Sequence, residues 1–239
     1  MVLGKLSHRR RLEIKPLNEV INMRNTLAAL VAACLVVSTT ASGQSPTRHS
    51  DLQQLDSFLQ GIETLAADVV QLIVESDGGV LEESSIKMYL MKPDGFYWET
   101  LSPFPELVVT NGRLLWNYQP DLEQVVIERW DSSRSELAVQ LLNGQTEDLA
   151  AEYVIENVSL VGDEHQEFTL TPMAADSIYD EISINFLLSE LNTIYLENKN
   201  GQQTVWRFEN VVRNQPMDDE IFEFQPPDNI EVIENTYTR

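Results

Sequence analysis

The sequence predicts a mainly β domain, an antiparallel meander of about eleven short strands curled into a barrel or sandwich. Three observations predict it. Turn sequences, Asp77-Gly78-Gly79, Pro93-Asp94-Gly95, Asn111-Gly112, Asn143-Gly144 and Asn200-Gly201, punctuate the chain at short intervals. Between them, apolar and polar residues alternate with a period of two. The aromatic residues, 8% of the chain, fall inside those alternating runs, where β structure favours them.

The chain opens on a segment that is expected to be removed. Within residues 23–43, Arg24 supplies a positive start, residues 27–37 an apolar run, and Ala41-Ser42-Gly43 a small-residue cleavage site before Gln44, the pattern of a secretory signal. The run is too short to cross a bilayer, which takes about 20 residues. Residues 1–22, with Arg9-Arg10-Arg11, either extend that start or precede a true start at Met23, which is the reading preferred here. Val31-Ala32-Ala33-Cys34 also fits the site at which bacterial lipoproteins are lipidated. Leu35-Val36-Val37, however, continue the apolar run where a lipidated cysteine would end it. With Cys34 gone the mature chain has no cysteine, which excludes disulfides and thiolate chemistry. Residues 44–239 are then a single domain.

Residues 1–43 hold six of the 16 Lys/Arg and two of the 38 Asp/Glu, leaving 10 against 36 and a net charge of −26. Such a surface repels nucleic acid and anionic bilayers. It serves solubility, steering towards basic partners, or both.

Two helices interrupt the strands. Ser50 and Gln53 form a capping-box pair ahead of Leu52, Leu55, Leu59 and Ile62, which predicts a helix over about 51–62. Ser133 to Glu136 repeat the pattern ahead of Leu137, Ala138, Leu141 and Leu142, predicting a short amphipathic helix in the middle of the meander. Strands are expected near 64–75, 84–92, 96–101, 106–110, 113–118 and 123–130, then near 151–160, 165–171, 180–187, 192–198 and 202–211. The tail after Phe224, with Pro226-Pro227, should run along the sheet edge.

Parity within the strands separates a greasy face from a wet one. Phe96 and Trp98 alternate with Tyr97 and Glu99, and Trp116 and Tyr118 with Asn117 and Gln119. Phe168 and Leu170 alternate with Glu167 and Thr169, and Ile182, Ile184 and Phe186 with Glu181, Ser183 and Asn185. Together with Met88, Leu90, Val125 and Ile127, the bulky members are expected to line one concave face. That face is either filled by its own side chains or partly open as a pocket. The first strand is apolar on both parities and its faces stay unassigned.

Catalytic combinations are scarce. After residue 43 only His49 and His165 remain, so a Ser-His-Asp relay or a histidine metal site is not expected. Asp218-Asp219-Glu220 reads as a solvated loop and lacks the glycine-bearing frame of a calcium loop. Glycosidase-type carboxylate pairs stay open, because so many acids make coincidences cheap. No Gly-rich phosphate loop is present, and no cofactor is expected.

Four blocks carry a resemblance. KPDGFYW at 92–98, VVTNGRLLWNYQPDLEQVVIE at 108–128, FTLTP at 168–172 and FEFQPPDNIEVI at 222–233 occur in order after a signal. Together they resemble the outer-membrane lipoprotein carrier protein (LolA) family over about residues 50–235. The resemblance implies an unclosed barrel of about eleven antiparallel strands, with short α-helices as a lid over an apolar cavity. It implies a periplasmic, monomeric, non-enzymatic carrier that takes lipoproteins by their acyl chains from an inner-membrane ABC-type releasing complex to an outer-membrane receptor. A sensing or regulatory module on the same half-barrel is the alternative.

The family usually has arginine where this chain has Lys92, and a glycine upstream where Ser84-Ser85-Ile86 stand. Lys92 is therefore expected at the rim, donating hydrogen bonds to the mid-chain helix or its flanking backbone, with Leu137, Leu141 and Leu142 of that helix forming the lid.

Overall fold

The computed structural model describes residues 47–131, 141–142, 146–158 and 164–235. The first helix, α1 (Thr47–Gln60), is followed by β1 (Thr64–Val74), β2 (Val80–Met91), β3 (Gly95–Ser102), β4 (Glu106–Asn111), β5 (Leu114–Gln119) and β6 (Gln124–Arg129). After α2 (Thr146–Glu152) come β7 (Tyr153–Asn157), β8 (His165–Pro172), β9 (Tyr179–Leu187), β10 (Glu190–Asn198), β11 (Gln203–Arg213) and β12 (Glu231–Asn235). The eleven expected strands are all present, with ends shifted by a few residues. The tail supplies a twelfth, at the edge, as its prolines suggested.

All twelve strands form one sheet in the order β12-β6-β5-β4-β3-β2-β1-β11-β10-β9-β8-β7. Every neighbouring pair is antiparallel except β12 and β6. The two edge strands lie at opposite ends of the order, so the sheet is not closed. The longest link between successive strands joins β6 to β7, while β1 and β11, far apart in sequence, pair over a nine-pair register that joins the two meanders and is broken only by a bulge at Ala66/Asp68.

One helix expectation needs correcting. The helix α1 begins at Thr47, a turn before the proposed cap, so Ser50 lies inside it and its hydroxyl bonds the carboxylate of Asp51 at 3.2 Å. The capping-box pattern is local, and a helix with apolar residues to bury extends past it. Leu55 and Leu59 are fully buried and Leu52 and Phe58 pack beside them, so the three- and four-residue spacing reports the correct face. Of the mid-chain helix, Leu141 and Leu142 are helical and buried, while Leu137 lies outside the described residues. The helix α2 stands where the expected strand at 151–160 begins.

Candidate functional site

The sheet has two faces, and register decides which side chains share each. On the inner face, against which α1 lies, Met88 pairs with Trp98 and Leu90 with Phe96. Across β1, Leu65 pairs with Leu90 and Ala67 with Met88. The same face continues through Val69 opposite Phe208, Ile194 opposite Trp206, and Ile184 opposite both Ile194 and Phe168. It ends at Ile182 opposite Leu170 and Leu170 opposite Ile155. All of these are buried except Trp98, which is half-buried.

Rings order this surface. Trp98 stacks on Phe96 at 6.0 Å and meets Trp206 edge-on at 5.4 Å. From α1, Phe58 stacks on Phe186 at 4.7 Å and meets Phe168 edge-on at 5.8 Å. The Trp206 indole N–H donates to Gln71 at 2.8 Å, which removes the penalty of burying an unpaired donor. In this state the inner face is occupied by the protein's own α1, Leu141, Leu142 and Leu149.

Thus Met88, Leu90, Phe96, Trp98, Phe168, Leu170, Ile182, Ile184 and Phe186 share the inner face as their parity suggested. Trp116, Tyr118, Val125 and Ile127 do not, and this corrects the expectation. Val109 pairs with both Tyr97 and Trp116, Trp116 with Ile127, and Tyr118 with Val125, so these side chains share the face of Tyr97, opposite Phe96. There they form a second cluster with Phe222, flanked by Met217, Ile221, Phe224 and Ile230. The outer face is therefore apolar from Tyr89 and Tyr97 across to Val125, with Lys87 and Glu99 beside that cluster. Phe222 lies on Gly95, where an added Cβ would come within 3.2 Å of its ring, and Phe224 lies 5.3 Å from Tyr118. Parity within one strand cannot fix its phase relative to the next. In β4, Leu107, Val108 and Val109 are apolar on both parities and hide the change.

The sequence reading also missed β1 and β11. Nothing in β1 separates its faces, but Trp206 and Phe208 alternate with Val205, Arg207 and Glu209 and could have been found.

Polar groups tether α1 at two places. Lys92 Nζ donates to the Leu59 carbonyl oxygen at 2.8 Å, in the last turn, where that oxygen also accepts from the Ile62 amide at 3.2 Å and a cation suits the dipole. Lys92 is a rim donor as expected, but its described partner is α1, not the mid-chain helix. Sequence cannot show which helix end folds over the β2–β3 turn. Burial lowers the ammonium's affinity for its proton, and the carboxylates of Glu63 and Asp56 oppose that shift. The Asn214 side chain accepts from the Glu63 amide and donates to the Gly61 carbonyl, both at 2.8 Å, fixing the α1–β1 junction.

Further along α1, Gln54 donates to Gln166 at 3.1 Å, and Asn157 donates to both Gln54 and Gln166. Other groups with shifted proton affinity stand at the margin or on the outer face. Burial raises Tyr153, with Glu152 adding to it, and burial together with the hydrogen bond to Glu99 raises Tyr97. Beside α2 a cleft of about 700 Å³ opens, lined by Tyr153, Met173, Ile178 and Tyr179 among others.

An open sheet with an aromatic and aliphatic inner face, covered by a tethered helix, defines an unclosed, helix-covered half-barrel. The family model described as "Outer membrane lipoprotein carrier protein LolA" matches residues 60–225, and the chain belongs to that family. An outer-membrane lipoprotein carrier protein of Pseudomonas putida is 32% identical over 211 residues, covering 88% of this chain and 99% of the relative. One of Chromohalobacter salexigens is 30% identical over 206 residues, covering 86% and 95%. Among solved structures, an uncharacterized conserved protein from Thermus thermophilus superposes with a TM-score of 0.51 at 12% identity, covering 77% of this chain and 98% of that one. At that identity the likeness concerns the fold alone.

Proposed function

We propose that this chain is a periplasmic carrier that holds the acyl chains of lipoproteins on its inner face and moves them from the inner to the outer membrane. The observation that carries the reading is the cover of that face. A continuous apolar surface from β7 through β11 and β1 to β3 is closed by helical segments rather than by a second sheet. A helix held by a few polar bonds can be displaced, whereas a sheet joined by its own ladder cannot. The relatives' name, outer-membrane lipoprotein carrier protein, supports the same reading.

Energetics set what the site must do. Each methylene exposed to water costs about 0.8 kcal/mol, so a chain of about 16 carbons costs about 12 kcal/mol outside a membrane. Burial against Phe96, Trp98, Trp206 and Phe186 offsets that cost. Displacing Phe58, Leu55 and Leu59 takes part of the gain back, and that partial cancellation keeps release within reach. A site filled by its own helix binds reversibly.

In this reading cargo arrives from an inner-membrane ABC-type releasing complex and leaves to an outer-membrane receptor. The protein acts as a monomer after removal of residues 1–43, and it performs no chemistry on the cargo. The test is native mass spectrometry of the mature protein after mixing with a triacylated lipopeptide and with its deacylated peptide. A complex with the lipopeptide alone is expected. Equal retention of the deacylated peptide overturns the proposal.

A further inference from the structure

The strands run between two rims, and their register assigns every turn to one of them. The β1–β2, β3–β4 and β5–β6 turns stand side by side at the rim away from Lys92. Adjacent tips are two strands, about 10 Å, apart. All three expose large apolar side chains: Val80 and Leu81, then Leu101 and Phe104, then Leu122, with Phe104 at 68% and Leu122 at 66% exposure. Single exposed apolar residues are ordinary, but a row of them on consecutive tips marks an interaction surface.

Charge at this rim is one-sided. Asp77, Glu83, Asp121 and Glu123 are exposed on the same turns, with Glu82 and Glu106 half-buried beside them. Among the described residues the rim's one cation is Lys199, at the β10–β11 turn, and its ammonium donates to the Ala175 carbonyl at 2.7 Å. The other rim holds Lys92, Arg113, Arg129 and Arg213 among the carboxylates of Glu63, Asp94, Glu164, Glu190 and Glu223, with Arg113 paired to Glu223 at 3.6 Å.

We propose that the three-tip row is the docking surface for a basic protein, one that presents apolar recesses ringed by Lys and Arg. Charge complementarity selects that occupant. The carboxylates repel a second copy of the same rim and an anionic bilayer, and they attract cations that would flank pockets for Phe104 and Leu122. The carboxylates of this rim are less compensated by cations than those of the other, which favours approach of this end to a positive surface. Apolar tips then supply the short-range contacts, and the carboxylates supply encounter rate and orientation. The inference deepens the carrier reading by assigning its partner surface, yet it does not depend on what the inner face binds.

The test uses the mature protein with salt-washed inner and outer membranes from the producing cells, and with liposomes made from the lipids of those membranes. Binding is read by cosedimentation. Capture by native membranes but not by liposomes is expected, weakening as salt rises from about 0.1 M to about 1 M, where screening shortens from about 10 Å to about 3 Å. Phe104→Ser with Leu122→Ser should weaken capture by at least about tenfold. Glu83→Lys with Asp121→Lys should also weaken it, and Leu187→Ser with Leu188→Ser, at the opposite rim, should not. Equal capture by liposomes assigns the row to lipid and overturns the proposal. Unchanged capture of the Phe104/Leu122 variant overturns it as well. Lipopeptide retention, measured on every variant, separates the two readings. Its failure in the unaltered protein counts against the carrier and leaves the rim assignment standing.

Discussion

Removing the ring of Phe58 should loosen the protein and tighten its grip on cargo. That ring lies on α1 and makes two aromatic contacts on the inner face, stacked on Phe186 at 4.7 Å and edge-on to Phe168 at 5.8 Å. Each contact contributes about 0.5–1.5 kcal/mol beyond buried area. A fully buried Phe→Ala change costs about 3–5 kcal/mol, and Phe58 is only partly buried, so Phe58→Ala should cost about 2 kcal/mol. The melting temperature then falls by about 4–8 °C for a domain of this size. An acyl chain displacing α1 no longer has to break those contacts, so its apparent affinity rises by up to about 30-fold, the factor equivalent to the same 2 kcal/mol. Urea denaturation gives the first quantity, and titration with a triacylated lipopeptide followed by tryptophan fluorescence gives the second. The two effects must have opposite signs. Weaker lipopeptide binding by Phe58→Ala would make Phe58 a wall of the site rather than its occupant and refute the displacement argument.

Three further outcomes follow from the same geometry. Lys92→Leu removes the donor to the Leu59 carbonyl, worth about 1 kcal/mol at a half-buried site, and should shift the helix-open population about fivefold; Lys92→Arg should not, and hydrogen exchange of the α1 amides measures both. Phe222→Ala should cost about 3 kcal/mol by opening a cavity in the outer cluster, with lipopeptide affinity unchanged, because that cluster lies across the sheet from the inner face. Burial, with Glu197, Glu167 and Asp180 nearby, raises the folded-state pKa of Glu181. Stability is therefore greatest while Glu181 is protonated and falls as pH rises through its raised folded value. Glu181→Gln should abolish that decline and add about a few tenths of a kcal/mol at neutral pH, as seen in urea midpoints measured across the acidic range.

What the sequence made legible follows the range of each signal. Strand positions rest on local alternation and turn residues, and Phe96, Trp98, Phe168 and Ile184 emerged on one face because each strand's own pattern is unambiguous. Trp116 and Tyr118 alternate clearly with Asn117 and Gln119, yet their phase relative to Phe96 passes through β4, whose Leu107-Val108-Val109 run carries no parity, and Val125-Val126-Ile127 in β6 carries none either. Phe222 and Phe224, in a segment expected only to follow the edge, cover the outer face by tertiary contact with Gly95 and Tyr118. The Lys92 position suggested a rim donor, but its acceptor, the Leu59 carbonyl 33 residues earlier, is set by how the chain folds over itself.

The central claim is that acyl chains occupy the inner face, and the four tryptophans offer the means to test it. Trp98 and Trp206 lie on that face and Trp116 on the other. Single-tryptophan variants, the others replaced by phenylalanine, can be titrated with a lipopeptide whose acyl chains carry bromine, a contact quencher of indole fluorescence. Quenching of the Trp98 and Trp206 variants with the Trp116 variant unaffected is the predicted result. Quenching of Trp116, or saturable binding that quenches neither Trp98 nor Trp206, would contradict the account.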